Sequence, residues 1–404
     1  MEKSKRILRW LAGKSRLFIM TSMFLLGLFA FPLPQAQASK EEMYVILNML
    51  VEKGYITQDE SKEILSAIDN IDKKQKEDTS KNIVKASVAE NLNISGYIQG
   101  RYNAYEFSGT TDEFTTKRAV IGLSGKVVDN VLFKAEIDTA KDNKLLNDAW
   151  IKLTYLPKAN ITVGQFKIPY SEEYLTSSSA IDTIERSLPV DSMATEFDRG
   201  IMVDANLFEK RFYYGVALVN GTGKNTSDDN SSKDVIGRIV LTPFANEKDS
   251  ALSGLKFGLN YQTGTQNKYT NRTRGYDRTR YGALVKYEIK NFKIQTEYLK
   301  QDYNHNPDAT KPDAEIESNG WYALMTYTFP MRNGMNIQPV LKYETYDPDN
   351  NVETNTQSIT TFGVNWNINK ATKFSTNYRW RNDDRGGKTA TNMNEWFSQL
   401  QIKF

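Results

Sequence analysis

The sequence predicts an all-β protein, a sixteen-stranded antiparallel transmembrane β-barrel preceded by a small N-terminal α-helical hairpin. Three observations predict it. Hydrophobicity alternates with a period of two from Asn91 to the end of the chain. Tight turns alternate there with long polar loops, and the final alternating segment ends on an aromatic residue, Phe404.

The bulk numbers narrow the class. The 404 residues have a mean hydropathy of −0.56, and 25% are charged. A polytopic helical membrane protein is excluded, because each spanning helix needs about 20 consecutive apolar residues, and only the N-terminal apolar run leaves a single uncleaved anchor helix as an alternative. Cysteine is absent and His305 is the one histidine. That removes disulfides, thiolate metal sites and multi-histidine metal sites, and leaves a catalytic dyad possible only through His305; no cofactor, metal or catalytic residue is expected.

Residues 1–38 read as a secretory signal peptide. Lys3, Lys5, Arg6, Arg9, Lys14 and Arg16 precede an apolar run from Leu17 to Leu33, and Ala36-Gln37-Ala38 forms a small-residue cleavage pattern. Cleavage after Ala38 would leave a mature chain of net charge −2, against +3 for the whole sequence. No nucleic-acid partner is implied.

Residues 39–72 have helical spacing. Met43, Leu47, Leu50 and Val51 lead to Gly54, a C-terminal stop. Thr57 and Glu60 then form a capping box ahead of Ile64, Leu65, Ile68 and Ile71. The apolar stripe of this hairpin is too small to form a core alone. Residues 73–90 are a charged linker, and 91–404 form the barrel domain.

The strands follow in order. They are Leu92–Phe107, Thr116–Val128, Val131–Thr139, Asp148–Leu156, Ile161–Pro169, Gly200–Leu207, Phe212–Asn220 and Val235–Pro243. Leu255–Gln262, Arg278–Ile289, Phe292–Gln301, Gly320–Phe329, Met335–Tyr346, Ser358–Ile368, Lys373–Arg381 and Glu395–Phe404 complete the set. Every second connection is short, as at Asp129-Asn130 and Lys290-Asn291, and the others are mostly long and polar. A barrel with turns at one end and loops at the other sorts its connections this way. An even strand count places both barrel ends on the turn side, so the hairpin is expected in the periplasm.

Alternation also assigns faces. Ala119, Ile121 and Leu123, then Tyr281, Ala283, Val285 and Tyr287, make apolar outer faces, and the alternate positions are polar or charged. In lipid every backbone polar group must be paired within the protein, which only a closed sheet provides. Trp396 to Phe404 then closes against Leu92–Phe107, with Lys403 inward and Ile402 and Phe404 outward.

Four stretches carry a family resemblance: GYIQGRYNAYEF (96–107), TTKRAVIGLSGKV (115–127), VGQFKIPYSEEYLTSSSAIDTIERS (163–187) and DRGIMV (198–203). With them the chain resembles the phosphate-selective porin O and P family over residues 91–404. The resemblance implies a sixteen-stranded porin of the bacterial outer membrane, a homotrimer, and inward-folded loops that narrow the channel. It places residues 170–199 where the family has its constricting loop. That loop carries Arg186 but also Glu172, Glu173, Asp182, Glu185 and Asp191, a mixture that does not fit strict phosphate selectivity.

The expected pore-lining residues are Arg118, Lys126, Lys134, Arg186, Arg238, Arg280, Lys286 and Arg379. Period-2 assignment adds Arg101, Lys152, Lys167, Lys256, Arg278, Lys293, Lys342, Lys373, Arg381 and Lys403 to the inward cations. The inward acids are Glu136, Asp138, Asp148, Asp204, Glu288, Glu297, Glu344 and Glu395. An excess of inward Lys and Arg concentrates anions. The expected function is therefore passive diffusion of small hydrophilic solutes and ions, with anions or phosphate preferred. Arg118, Lys134 and Arg186 are expected at the constriction. Expected partners are outer-membrane lipid and lipopolysaccharide, the small anions or other hydrophilic solutes, and peptidoglycan through the N-terminal helices. The alternative is a structural protein that tethers the envelope through those helices.

Other motifs carry less. Asp347-Pro348-Asp349-Asn350-Asn351 starts like a calcium loop, but Val352 and Ser358 stand where glycine and glutamate are needed. Asn225-Thr226-Ser227 and Gly221-Thr222-Gly223 are loop chemistry. His305 lies in a polar loop, the position of a solvated side chain.

Overall fold

The computed structural model describes residues 51–52, 57–59, 61–62, 90–107, 109–141, 143–247, 249–266, 276–304, 315–384 and 393–404. The chain divides into two units, residues 1–84 and 85–404. In the first, residues 51–52, 58–59 and 61–62 are helical, and the Ser61 N–H donates to the Thr57 carbonyl at 3.1 Å. The signal segment 1–38, the rest of the hairpin and most of the linker lie outside the described residues, as does His305.

The second unit is an antiparallel sheet closed on itself. Its strands are β1 (Glu90–Tyr105), β2 (Glu113–Val128), β3 (Val131–Asp138), β4 (Leu146–Leu156) and β5 (Ala159–Lys167). Two short helices follow, α1 (Glu172–Leu175) and α2 (Leu188–Met193), and then β6 (Phe197–Leu207), β7 (Phe212–Val219), β8 (Asp234–Leu241) and β9 (Leu255–Gln266). The remainder are β10 (Tyr276–Ile289), β11 (Phe292–Asn304), β12 (Glu315–Tyr327), β13 (Phe329–Pro330), β14 (Asn336–Asp347), β15 (Gln357–Asn367), β16 (Thr372–Asp383) and β17 (Glu395–Lys403). The two-residue β13 continues β12 against β14, so the barrel has sixteen staves among the described residues.

All sixteen predicted strands are present. The largest differences are at β12, which starts at Glu315 rather than Gly320, and at β9, which extends to Gln266; β2, β6 and β11 are longer by three residues at one end, reaching Glu113, Phe197 and Asn304. In each case the polar residues of the barrel rim still find ladder partners, so the strand outlasts its hydrophobic alternation. Tight turns join neighbours where expected, with Asn130 (φ 67°) and Lys290 (φ 50°) in the left-handed conformation that two-residue hairpins use.

Closure is between the first strand and the last. Tyr97 pairs with Lys403 and Tyr105 with Glu395, and Gly96 exchanges two 3.0 Å backbone hydrogen bonds with Phe404. The outer face carries the exposed apolar side chains, among them Ile98, Ile121, Leu259, Val285 and Phe362. Cross-strand aromatic pairs, Tyr261 with Tyr281 and Trp321 with Tyr343, reinforce it.

One irregularity matters for the interior. Between Gln99 and Gly100 the register of β1 against β2 shifts, so that Gln99 faces Arg118 and Gly100 faces Thr116. Lys117 is the extra residue of this β-bulge. A bulge adds one residue to one strand and breaks the strict alternation of faces.

The segment from Ile168 to Glu196 does not project from the barrel but turns into it. A small apolar core forms inside: Ile168, Tyr170, Val190 and Met193 from this segment pack with Val219, Ile236, Leu299, Tyr322 and Val340 of the wall. Several wall positions expected to be polar are thus apolar, because they meet the loop rather than water.

Candidate functional site

Inward polar side chains hold the loop against the wall formed by β8–β11, β14–β17 and β1. Glu297 on β11 accepts the backbone N–H groups of Glu172 and Glu173, both at 2.9 Å, and the Tyr322 hydroxyl at 2.7 Å. Those two N–H groups open α1 and have no partner within the helix, so a wall carboxylate serves them. Glu344 on β14 does the same for α2, accepting the Leu188 N–H at 2.8 Å.

The loop answers with charges of its own. Glu172 pairs with Arg238 at 2.6 Å and Lys256 at 3.0 Å. Asp182 pairs with Lys293 at 2.7 Å. Glu185 is gripped by Arg101 and by Lys117, the latter at 2.9 Å. Burial alone would raise the Glu185 carboxyl, but these two cations outweigh it and hold it down at about 2. Glu173 accepts the Ser187 N–H at 2.8 Å and its hydroxyl at 2.9 Å. Burial pushes its carboxyl up to about 7, against the pull of Lys342 and Arg186.

Farther along, the Ser178 and Ser179 carbonyls accept from Gln99 at 3.3 Å and Gln401 at 3.0 Å, and the Ile181 carbonyl from Lys373 at 3.2 Å. The loop therefore leaves the wall at β5, crosses the interior and is fastened on the far side.

A cleft of about 520 Å³ stays open between the loop and the inner face of β1–β6, and a smaller one of about 280 Å³ lies where Ser179 and Asp182 of the loop meet Lys373, Gln401 and Lys403. Arg118, Lys134, Lys141, Lys152, Lys167 and Lys224 line it, with Glu136, Asp138, Asp148 and Glu196. Tyr97, Trp150, Phe166, Leu175, Phe197 and Met202 supply its apolar surface.

The charges in the cleft are unequal. Lys134 holds Asp148 at 2.6 Å and Glu136 at 2.9 Å, and Lys167 holds Glu196 at 2.8 Å. Lys152 reaches Asp204 at 3.4 Å. Asp138 accepts the N–H groups of Ala119 at 3.0 Å and Ala140 at 3.2 Å. Arg118 donates to the Gln99 amide at 3.3 Å and Lys224 to the Asn147 amide at 2.8 Å. Among the described residues Arg118, Lys141 and Lys224 make no ion pair, whereas each carboxylate of the cleft is engaged.

The expected pore-lining residues separate into three groups. Arg118 and Lys134 share the cleft. Lys126 and Lys286 lie by short turns, beside Asp129 at 3.7 Å and Glu288 at 3.1 Å. Arg186, Arg238, Arg280 and Arg379 are placed otherwise than expected, for all four are buried. Arg186 is folded into the loop, where it donates to the Glu173 and Thr176 carbonyls, the Ser178 hydroxyl and Glu196. Arg238 donates to the Tyr170 carbonyl and Asn260, both at 2.7 Å. Arg280 is held by Gln301 at 2.7 Å and Thr195 at 3.2 Å, and Arg379 by Glu395 at 2.5 Å. The three on strands keep the inward faces that alternation assigns, but the loop meets Arg238 and Arg280, and Arg379 is closed in by Glu344 and Glu395 of the wall itself.

Sequence reasoning missed Lys117, Lys141 and Lys224. Lys117 has the parity of an outward residue and turns inward only through the bulge. Lys141 and Lys224 lie on connections, where periodicity assigns no face. The segment at Asp347 is a turn built by its own side chains, Asp347 accepting the Asp349 N–H and Asp349 that of Asn351, both at 3.1 Å.

Comparison with known proteins bears on this arrangement. The anion-selective porin from Comamonas acidovorans has a TM-score of 0.57 at 13% identity, over 78% of this chain and 99% of its own. A loop L8 deletion mutant of OmpT, an outer membrane protein of Vibrio cholerae, has 0.57 at 10% identity, over 78% and 100%. The outer membrane channel DcaP of Acinetobacter baumannii has 0.54 at 14% identity, over 79% and 99%. At these identities the likeness is one of fold. No curated protein matches by sequence. The family model described as phosphate-selective porin O and P matches residues 91–404, the whole barrel after the first residue of β1. With a closed barrel, an inward loop and an apolar outer face over the same residues, the chain belongs to the phosphate-selective porin O and P family and is an outer-membrane porin.

Proposed function

We propose that this porin conducts small hydrophilic solutes through the cleft between the loop and β1–β6, and that it prefers anions. One observation carries the preference: six cations line the cleft against four carboxylates, and Arg118, Lys141 and Lys224 face it with no carboxylate partner among the described residues, while Glu136 and Asp148 share Lys134 and Glu196 is held by Lys167. Cations left over in a narrow, low-dielectric passage set a positive potential there. The fold shared with an anion-selective porin agrees with this reading. Arg118 and Lys134 remain the proposed constriction residues, now with Lys141 and Lys224 in place of Arg186.

The test is the reversal potential of refolded protein in a planar bilayer under a KCl gradient. The expected sign is that of chloride preference. Replacing Arg118, Lys141 and Lys224 together by glutamine should move it toward zero. Cation preference in the unaltered protein would refute the proposal.

Three further features belong to the same reading. The signal at 1–38 is removed on export, the helical segment lies in the periplasm beside peptidoglycan, and the barrels associate as a homotrimer. The even stave count supports the second, since it puts both ends of the barrel domain on the turn side. A trimeric form is described for OmpT of Vibrio cholerae, at 11% identity and a TM-score of 0.54, and it supports the third.

A further inference from the structure

We propose that the cleft is a subsite for small organic monocarboxylates with an apolar body, taken in preference to inorganic phosphate. This rests on the anion preference above and names the class of anion. The observation behind it is the juxtaposition of unpaired cations with apolar surface in one cavity.

Trp150 of β4, Met202 of β6 and Leu175 of α1 are partly exposed and line the cleft, and the buried Phe166 lines it as well. The indole N–H of Trp150 donates to Asp148 at 3.2 Å, so the polar edge of the ring is already committed. The Lys152 ammonium stands over the ring, 5.8 Å from its centroid, and what Trp150 offers a solute is the rest of its partly exposed apolar surface. An inorganic anion gains nothing from that surface and loses hydration beside it. A carboxylate attached to a ring or branched chain can bury its body there and present its charge to Arg118, Lys141 or Lys224.

The acids of the cleft sharpen the discrimination. Glu136, Asp138, Asp148 and Glu196 share the same space. A phosphate dianion meets each of them with twice the repulsion that a monocarboxylate meets. A site built for phosphate would converge unpaired donors and keep carboxylates out.

The experiment is current block in planar bilayers by the refolded full chain, with sodium benzoate and sodium phosphate as probes at equal ionic strength. Benzoate should block with an apparent affinity about tenfold tighter than phosphate, the ratio that about 1.4 kcal/mol of extra burial produces. Trp150→Ala should abolish that advantage, bringing benzoate to the level of phosphate. Met202→Gln serves as a second variant, and single-channel KCl current from either shows that the barrel has assembled. Phosphate blocking as well as benzoate, or benzoate block indifferent to both variants, overturns the proposal. The reversal potential separates the two layers: a channel with no anion preference defeats the reading beneath, and an anion-preferring channel blind to benzoate defeats this one alone.

Discussion

The Glu344 carboxylate on β14 accepts the N–H of Leu188 at 2.8 Å, so a wall strand caps a helix that lies 156 residues earlier in the chain. Glu297 on β11 serves α1 in the same way. Glutamine at either position keeps the shape and removes the charge. A charge-assisted hydrogen bond of this kind contributes about 1.5–3 kcal/mol. Glu297→Gln and Glu344→Gln should therefore loosen the loop, seen as larger and noisier single-channel conductance. A quiet, unaltered channel in both variants would show that the caps do not hold it.

Acidity should act on the same contact through Glu173. Its buried carboxyl is raised to about 7 in the seated loop, above the usual 4.3 it regains when the loop is displaced into water. A raised pKa means that the seated state binds the proton more tightly. The resulting stabilisation is complete below about pH 4.3 and is lost as pH rises through about 7. Asp191, also raised by burial, acts in the same direction. Glu185, held at about 2, loses its contribution as pH falls from about 4.3 to about 2, which lies outside this window. Conductance noise should thus increase between pH 5 and pH 8, and Glu173→Gln should remove most of the increase.

Two arginines expected to act alike should behave differently. Arg118→Gln should shift the reversal potential and leave thermal stability nearly unchanged, because Arg118 makes one neutral hydrogen bond. Arg186→Gln should destabilise by about 3–5 kcal/mol, since it strips a buried charge from several acceptors. Melting of the refolded barrel and selectivity, measured on both variants, decide this. Equal effects on both observables would contradict the assignment.

The seam offers a fourth test. A side chain at Gly96 would bring its Cβ within 2.4 Å of the Val120 carbonyl and 2.6 Å of the Phe404 ring. Gly96→Val should slow or prevent closure, measured as the yield of folded, heat-resistant barrel. Val216→Ala, on the outer face away from the seam, should fold normally. Equal yields would mean that the seam tolerates what its packing says it cannot.

The staves were legible because a membrane barrel leaves local sequence little freedom. Each strand must show lipid an apolar face, and Tyr281, Ala283 and Val285 do so regardless of what lies inside. The interior was less legible, because alternation reports parity and not surroundings. Arg238 and Lys134 have the same inward parity, yet one is sealed beneath the loop and the other faces the cleft. The difference is made by Glu172, 66 residues from Arg238 in the chain. Lys117 was hidden by one extra residue, since a bulge leaves no mark on hydrophobicity. Lys141 and Lys224 were hidden because connections have no period.

The loop also couples the order of assembly to permeability. It leaves the chain between the fifth and sixth staves, yet its fastenings lie on β8, β9, β11, β14, β16, β17 and β1. The set of them is complete only when the last stave has met the first. A barrel with its seam open would have an incompletely fastened loop and a wider, leakier interior. The narrow passage is thus the last part of the molecule to be made, and its appearance certifies that the cylinder has closed.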